Sequence, residues 1–327
     1  MIAFFHRFLL YLPPEIAHQI GFFFLKIYQS FLSLFKGSSH SSAPAIQVPG
    51  LSFLKFPNRL GLAAGLDKNA EGFPALAHLG FGFIEVGTVT PLPQQGNPKP
   101  RLWRVSPQGL INQMGFNNCG VEEFKHHLRK YRKLCPVPVL ANIGKNKNTP
   151  NELAYLDYQK LFQELYPWVD GFVVNVSSPN TVGLRALQST EFLEKLESFI
   201  SGKPVWVKLA PDLEPTEFVE LLKKIKSSSL YAGCVLTNTS RQVALTEYQR
   251  SEGGYSGEKL FEKSLDFVAR AREVFQKEKV IIGVGGINSI QRAQQMLHAG
   301  ADLIEVYTAF VYQGPKFVKA LSKELTN

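Results

Sequence analysis

Eight short apolar runs, most of them separated by segments of helical period, constrain this chain more than any other feature. They are Arg59 to Ala63, Phe83 to Gly87, Val139 to Ile143, Gly171 to Val176, Val205 to Leu209, Gly233 to Thr237, Val280 to Val284 and Leu303 to Tyr307. A continuous β-branched run has no polar face, so it suits a parallel strand buried on both sides. Eight strand–helix units predict an α/β fold of the (β/α)8 TIM barrel type, with a doubly wound open sheet as the second choice. At 327 residues the chain accommodates such a barrel of ~250 residues and an extension besides.

The extension comes first. Residues 1–36 hold eight of the 25 phenylalanines. Ile2, Phe5, Phe8, Leu9 and Leu12 recur at helical spacing, as do Ile16, Ile20, Phe23, Phe24, Ile27, Phe31 and Phe35, with Pro13 and Pro14 between the two runs. GSSHSSAPA, Gly37 to Ala45, reads as a flexible linker. The expected organisation is a helical region over 1–36, a linker over 37–48 and a barrel over 49–327. Two short helices cannot bury so many aromatics against each other. They must cover the barrel, meet a partner, or lie in a membrane interface with Arg7, Lys26 and Lys36 near the head groups. No run approaches the ~18 to 20 consecutive apolar residues of a bilayer span. Arg7 interrupts the first apolar run and no small-residue cleavage site follows, which makes a poor signal peptide.

A hydrophobic content of 45% against 19% charged residues excludes a disordered chain. The formal charge of +9 suits nucleic acid, anionic lipid, a small anion or merely a soluble surface, and does not choose among them. Cys119, Cys135 and Cys234 lie far apart without a CxxC, so neither a zinc cluster nor a disulfide framework is implied, in keeping with a reducing compartment.

In a TIM barrel the residues just past the C-terminal strand ends build the active site. Here they read AAGLDKN, GTVTP, NIGKN, NVSSPN, KLAPD, TNTSR, GVGGIN and YTAF. Almost free of His and Cys, they predict no metal site, and the pair His126-His127 belongs to a solvated helix. Asn142, Asn175, Asn180 and Asn238 recur at these ends, with Asn112 in a loop between the second and third strands. One such residue is most simply a turn or cap residue. Five converging amides, each both donor and acceptor, match a planar heterocycle with alternating C=O and N–H groups. GVGGIN and Tyr307-Thr308 follow the seventh and eighth runs, the usual barrel phosphate site, where glycines admit close backbone N–H contact; the plain alternative is a tight turn. Lys68 and Lys208 need anionic partners at a barrel mouth: a substrate carboxylate, an electron-rich cofactor atom, or a nearby acid such as Asp67 or Asp212. Ser178 has neither a GxSxG elbow nor an evident triad partner, so on its own it reads as a hydrogen-bonding residue.

Taken together, NRLGLAAGLDKN, GFIEVGTVTPLPQQGNPKPRLWR, INQMGFNN, NIGKNKNTP, NVSSPNTVGLR, VKLAPD, TNTS, GGYSG, IIGVGGINS and AGADLIEVYT resemble the dihydroorotate dehydrogenase family. More narrowly they resemble class 2, its quinone-linked, membrane-associated form. The resemblance runs in order from about residue 47 to the C-terminus, and PPEIAH resembles the class 2 extension, a helical pair that forms a quinone tunnel at the membrane. It implies FMN-dependent oxidation of (S)-dihydroorotate to orotate in pyrimidine biosynthesis, with a membrane quinone as acceptor. It further implies a peripheral protein on the cytoplasmic face of a bacterial inner membrane, attached through residues 1–36, with no nucleic acid and no Fe–S partner subunit.

Carried over position by position, Ala64, Gly65, Leu66, Asp67 and Lys68 would line the flavin, Lys68 also reaching the substrate. Thr88, Asn142, Asn175, Lys208, Thr237, Gly257, Gly286, Tyr307 and Thr308 would complete the FMN site. Asn112, Gln113, Met114, Gly115, Phe116, Asn175, Asn180, Asn238 and Thr239 would hold dihydroorotate. Ser178 matches the family's catalytic base, where class 1 relatives have cysteine; His18, Arg104 and Tyr307 match quinone-tunnel positions. Gln113 and Tyr255 depart from the family pattern, which has arginine and leucine there, although Gly257 survives. A tRNA dihydrouridine synthase is the enzymatic rival, but it calls for a catalytic cysteine and usually an RNA-binding domain. An inactive membrane-associated barrel scaffold and a phosphate-binding lyase or aldolase are the remaining alternatives.

Overall fold

Buried on both faces, the eight apolar runs close into one parallel barrel in the computed structural model, which describes residues 2–34, 45–181 and 183–326. Its strands, with three others, are β1 (Leu60–Leu62), β2 (Phe83–Val89), β3 (Leu102–Val105), β4 (Gly109–Asn112), β5 (Val139–Ile143), β6 (Gly171–Asn175), β7 (Val205–Leu209), β8 (Gly233–Leu236), β9 (Gly254–Gly257), β10 (Val280–Val284) and β11 (Leu303–Val306). The barrel order is β1-β2-β5-β6-β7-β8-β10-β11, closing back on β1. This is the expected TIM barrel; the open sheet is excluded by that closure.

Strand period decides what fills the barrel. Phe83, Leu140, Val173, Trp206, Val235, Ile282 and Leu303 form its apolar interior, plugged from below by Ile46, Val48, Leu51 and Phe56. Two residues further along the same strands stand Glu85, Asn142, Asn175, Lys208, Thr237 and Glu305. A step of two returns to the same face of a strand, so these polar groups form the next layer up, beneath the mouth. The helices pack outside the strands on a second, larger apolar core.

The antiparallel sheet β3-β4-β9 is a feature the sequence did not reveal. It corrects the placing of Asn112 in a loop: Asn112 ends β4, paired with Leu102 on one side and Gly254 on the other. The β9 partner comes from far along the chain, so no local pattern announces it.

At the N-terminus, α1 (Ile2–Tyr11) and α2 (Pro14–Leu34) meet at the two prolines. Residues 37–44 of the expected linker, with Phe35 and Lys36, lie outside the described residues. Polar clamps hold the pair to the barrel. Arg104 donates to the carbonyls of Leu9 and Leu12 at the C-terminal end of α1, where Leu9 also accepts from the Leu12 N–H at 3.3 Å. Arg101 reaches Glu15 at 3.0 Å, Lys26 reaches Glu71 at 2.6 Å, and the His6 ring meets the Val311 carbonyl at 2.9 Å. Phe22 is buried, whereas Tyr11, Ile16, Phe23, Phe24, Ile27 and Phe31 are exposed. Among the described residues no helix is long and apolar enough to cross a membrane.

Candidate active site

A cleft with about 1260 Å³ of empty space, part of it open to solvent, lies at the C-terminal end of the barrel strands. The expected flavin and substrate residues and Ser178 line it, except Leu66, Asp67, Gln113 and Asn142. Those four have identifiable tasks behind or beside the wall. Asp67 accepts from the backbone N–H groups of Glu71 and Gly72, both at 2.9 Å, and so orders the turn into the helix Phe73–Ala77. Burial pushes its carboxyl up to about 6, against the pull of those two hydrogen bonds. The Leu66 carbonyl meets the His18 ring of α2 at 2.8 Å. Gln113 turns aside to Glu252 at 3.2 Å. Asn142 stands behind the lining, its amide bonded to Thr88, Glu85 and Asn175.

The floor is a buried ionic layer. Lys208 donates to Glu85 at 2.8 Å and stands 3.8 Å from Glu305. Glu85 also accepts from Asn142 Nδ2 at 2.6 Å and from the Ala64 N–H at 2.9 Å. Burial alone would raise the Glu85 carboxyl, but the adjacent Lys208 charge and these donors hold it below the usual carboxylate range. Burial would likewise depress the Lys208 ammonium; its acidic neighbours, Glu85 first, outweigh that and hold the group protonated. Lys208 therefore does not pair with Asp212, as one sequence-based alternative had it. Asp212 is taken by Arg185 at 2.9 Å and Lys263 at 3.3 Å, and Asp67 by the backbone, so neither lysine pairs with those acids.

Around and beyond these charges the asparagines fall into two linked groups. Thr88 Oγ1 donates to Asn142 Oδ1, Asn175 Nδ2 reaches Thr88 Oγ1 at 3.0 Å, and Asn238 Nδ2 reaches Asn175 Oδ1 at 3.2 Å. Across the mouth, Asn180 Nδ2 donates to Asn112 Oδ1 at 2.8 Å. Such fixed amides present a preset pattern of donors and acceptors to a flat, polar ring. Ser178 is buried beside them, its Oγ accepting from the Asn180 N–H at 3.3 Å. Three residues on, the buried Thr181 hydroxyl has no partner among the described residues.

Lys68 is bound only to a neutral group, Asn117 Oδ1 at 2.7 Å. Burial, followed by the nearby Arg101 charge, lowers its ammonium to about 7. A cation in that condition is set to gain from an anionic ligand. At the far end of the cleft, Gly285 and Gly286 adopt φ of 126° and 69°, a region that side chains strain to reach. A Cβ on Gly286 would meet the Phe261 backbone N at 2.7 Å. Beside them Thr308 opens a short helix and donates to Ser256 at 2.9 Å.

Glu85, Glu305 and Ser256 are site residues that sequence reasoning passed over. The signal was present for the two acids. Each is a lone charge inside a run otherwise apolar, FIEVG and LIEVY, which a strand buried on both faces tolerates only for a purpose. Elsewhere, His127 belongs to the helix Val121–Tyr131, its ring against the Asn69 carbonyl at 2.8 Å, and no cluster of metal-ligating side chains occurs among the described residues.

The sequence matches the family model described as Dihydroorotate dehydrogenase over residues 47–327. It is 41% identical to a dihydroorotate dehydrogenase (quinone) of Idiomarina loihiensis, covering 95% of this chain and 96% of that one. A dihydroorotate dehydrogenase (quinone) of Thermus thermophilus is 42% identical, covering 97% and 93% respectively. Among solved structures, ligand-free DHODH from Eimeria tenella superposes with a TM-score of 0.84 at 32% identity, over 95% of this chain and 94% of that one.

Replacing Lys208 by Met leaves the Glu85 carboxylate buried without its counter-ion. The variant is expected to lose about 3–5 kcal/mol of stability at neutral pH. Without the lysine the Glu85 pKa in the fold rises above its unfolded value, so the deficit shrinks as pH falls. Urea denaturation at pH 7.5 and 5.5 checks both statements; an equal loss at the two values contradicts them.

Proposed function

The chain belongs to the dihydroorotate dehydrogenase family, and from that premise we propose how its cleft oxidises dihydroorotate to orotate with a quinone as acceptor, a step of pyrimidine biosynthesis. The observation that carries the reading to individual residues is the convergence of Lys68, Lys208, Ser178 and the two asparagine groups on one cleft. Its flavin is assigned as FMN, because the wall suits a flat ring ending in a phosphate. Ala64, Gly65 and Lys208 would hold the ring system, Lys208 supplying a cation, and Gly285, Gly286 and Thr308 would hold the phosphate, the glycines through backbone N–H groups. Held by these residues, FMN would supply the chemistry of hydride acceptance from C6 of dihydroorotate and of electron transfer to the quinone.

Lys68 holds the substrate carboxylate, and Asn112, Asn175, Asn180 and Asn238 hold the polar edge of its ring. Lys208, fixed by Glu85, keeps a positive charge at the floor, where it stabilises negative charge arriving on the cofactor. Ser178 accepts the C5 proton and passes its own hydroxyl proton onward, with the unpartnered Thr181 hydroxyl as the nearest relay along the chain. Asn142 and Asp67 act one layer back, the first by orienting Asn175, the second by shaping the loop that carries Lys68.

The quinone is assigned to the junction of α1 and α2 with the barrel: His18 joins α2 to the Leu66 carbonyl, Arg104 of β3 holds the end of α1, and Tyr307 meets the carbonyl of Gly65 beside them. The exposed apolar side chains of the two helices suit a peripheral seat in a membrane interface, on the cytoplasmic face of a bacterial inner membrane. With the family established, the tRNA dihydrouridine synthase, lyase and scaffold alternatives fall away.

Anaerobic mixing with dihydroorotate is expected to bleach the flavin absorbance, and a ubiquinone analogue to restore it. A variant lacking residues 1–36 should still bleach but regain colour slowly with quinone; equal reoxidation would sink the quinone assignment. Ser178→Ala is expected to bind FMN and orotate normally while flavin reduction slows about 10²–10⁴-fold in stopped flow. Unchanged reduction would remove Ser178 as the base.

Orotate affinity should depend on pH through Lys68. Its ammonium is the binding form, so as pH rises through about 7 the dissociation constant of wild type climbs, approaching about tenfold per unit. Titrations of Lys68→Met over the same range should be weak and lack that rise.

A further inference from the structure

The barrel floor holds one acid more than its single lysine can neutralise. Glu85 and Glu305 are both 0% exposed, and Lys208 is 5% exposed between them. Three formal charges at that depth sum to −1. Glu85 is well provided for, with Lys208 at 2.8 Å, Asn142 at 2.6 Å and the Ala64 N–H at 2.9 Å. Glu305 is not. Lys208 stands 3.8 Å away, beyond hydrogen-bond reach, and neither Glu305 carboxyl oxygen receives a donor from any described residue. A carboxylate left that way is among the costliest groups a protein can bury.

What Glu305 does have is a second buried carboxyl group beside the same ammonium, Lys208 standing 2.8 Å from Glu85 and 3.8 Å from Glu305. Two carboxyl groups can bond to each other only through a proton, and like charges so placed do not both ionise. From this geometry we infer that Glu85 and Glu305 share one proton, carried mainly by Glu305, and that the layer Glu85–Lys208–Glu305 is electrically neutral in the resting protein. The remaining ionisable groups agree: burial, then the Glu85 charge, raises the Glu305 carboxyl well above the usual range, with Lys208 opposing, and no other charged group among the described residues faces it. Glu85 keeps the anion because its donors favour that form; Glu305, with none, keeps the proton.

Both acids and the lysine sit on strand positions that point into the barrel, and Lys208 and Glu305 line the cleft. The consequence for the flavin rests on the function proposed above. With Glu305 neutral, only one anion offsets Lys208, so the floor does not repel electrons arriving on the cofactor. With Glu305 ionised, the floor would carry −1 and oppose reduction. Glu305 is thus a positioning residue, acting through Lys208 and not on the substrate.

The test is infrared spectroscopy of the purified holoenzyme in H2O and D2O. A buried protonated carboxyl gives a C=O stretch above the amide band that shifts on deuteration. The expected result is one such band, present from pH 6 to 8, lost in Glu305→Gln and weakened or lost in Glu85→Gln, where Glu305 becomes the lone counter-ion of Lys208. Glu305→Gln should keep its thermal midpoint, since a neutral amide replaces a neutral acid, and its flavin midpoint potential should stay near that of wild type. Glu305→Asp, which retains an ionisable group but withdraws it from Glu85, tests the sharing: its band should move to the frequency of an unbonded acid or vanish. An identical band in wild type and Glu305→Gln, or none in wild type, overturns the inference. Failure of the flavin reading is distinguishable, because the band belongs to the polypeptide and survives in protein stripped of flavin, whereas the potential does not.

Discussion

The pairing of Lys208 with Glu85, wholly inside the barrel, is the interaction on which the rest of the site depends. Each member exists in its charged form only because the other is there. The pair is in turn held by Asn142 and the Ala64 N–H, so the charge at the floor, the asparagine wall and the loop of Ala64 to Lys68 are parts of one network. A surface ion pair would be screened and nearly neutral in energy; a buried one is expensive to make and more expensive to break. That asymmetry suits a catalytic floor, where a cation must stay fixed while charge arrives above it.

Strand periodicity explains why the network stands where it does. One layer of side chains fills the barrel with Phe83, Leu140, Val173, Trp206 and their neighbours, and the next layer up is polar. The apolar layer seals the polar one from below, which raises the value of every dipole and charge inside it. The sheet β3-β4-β9 frames the mouth from above, carrying Asn112 on one strand and Gly257 on another. Chemistry is therefore confined between a hydrophobic plug and a small antiparallel cover.

The N-terminal helices connect to this arrangement through buried Phe22 and through polar contacts to backbone carbonyls. Arg104 holds the end of α1, and the His18 ring meets the carbonyl of Leu66, two residues before Lys68. Burial lowers the His18 pKa, so the ring favours its neutral form and one nitrogen for one carbonyl. The N-terminal helix pair in this way touches the loop that carries Lys68.

The eight strands were legible from local pattern alone, because a strand buried on both faces must be apolar throughout and says so wherever it stands in the chain. The residues past their ends were legible for the same reason: once strand ends are known, the barrel brings them to one mouth. Asn112 and β9 were not, since their pairing joins segments more than a hundred residues apart whose own sequences suggest only turns. Nor could sequence say that Asp67 would spend its oxygens on the backbone, that Lys208 would choose Glu85 over Asp212, or that Glu305 would be left without a donor. Which residue types line the barrel is written in the chain as hydrophobic period. Which charge meets which depends on distances of a few ångströms across the closed barrel, and only closure sets those.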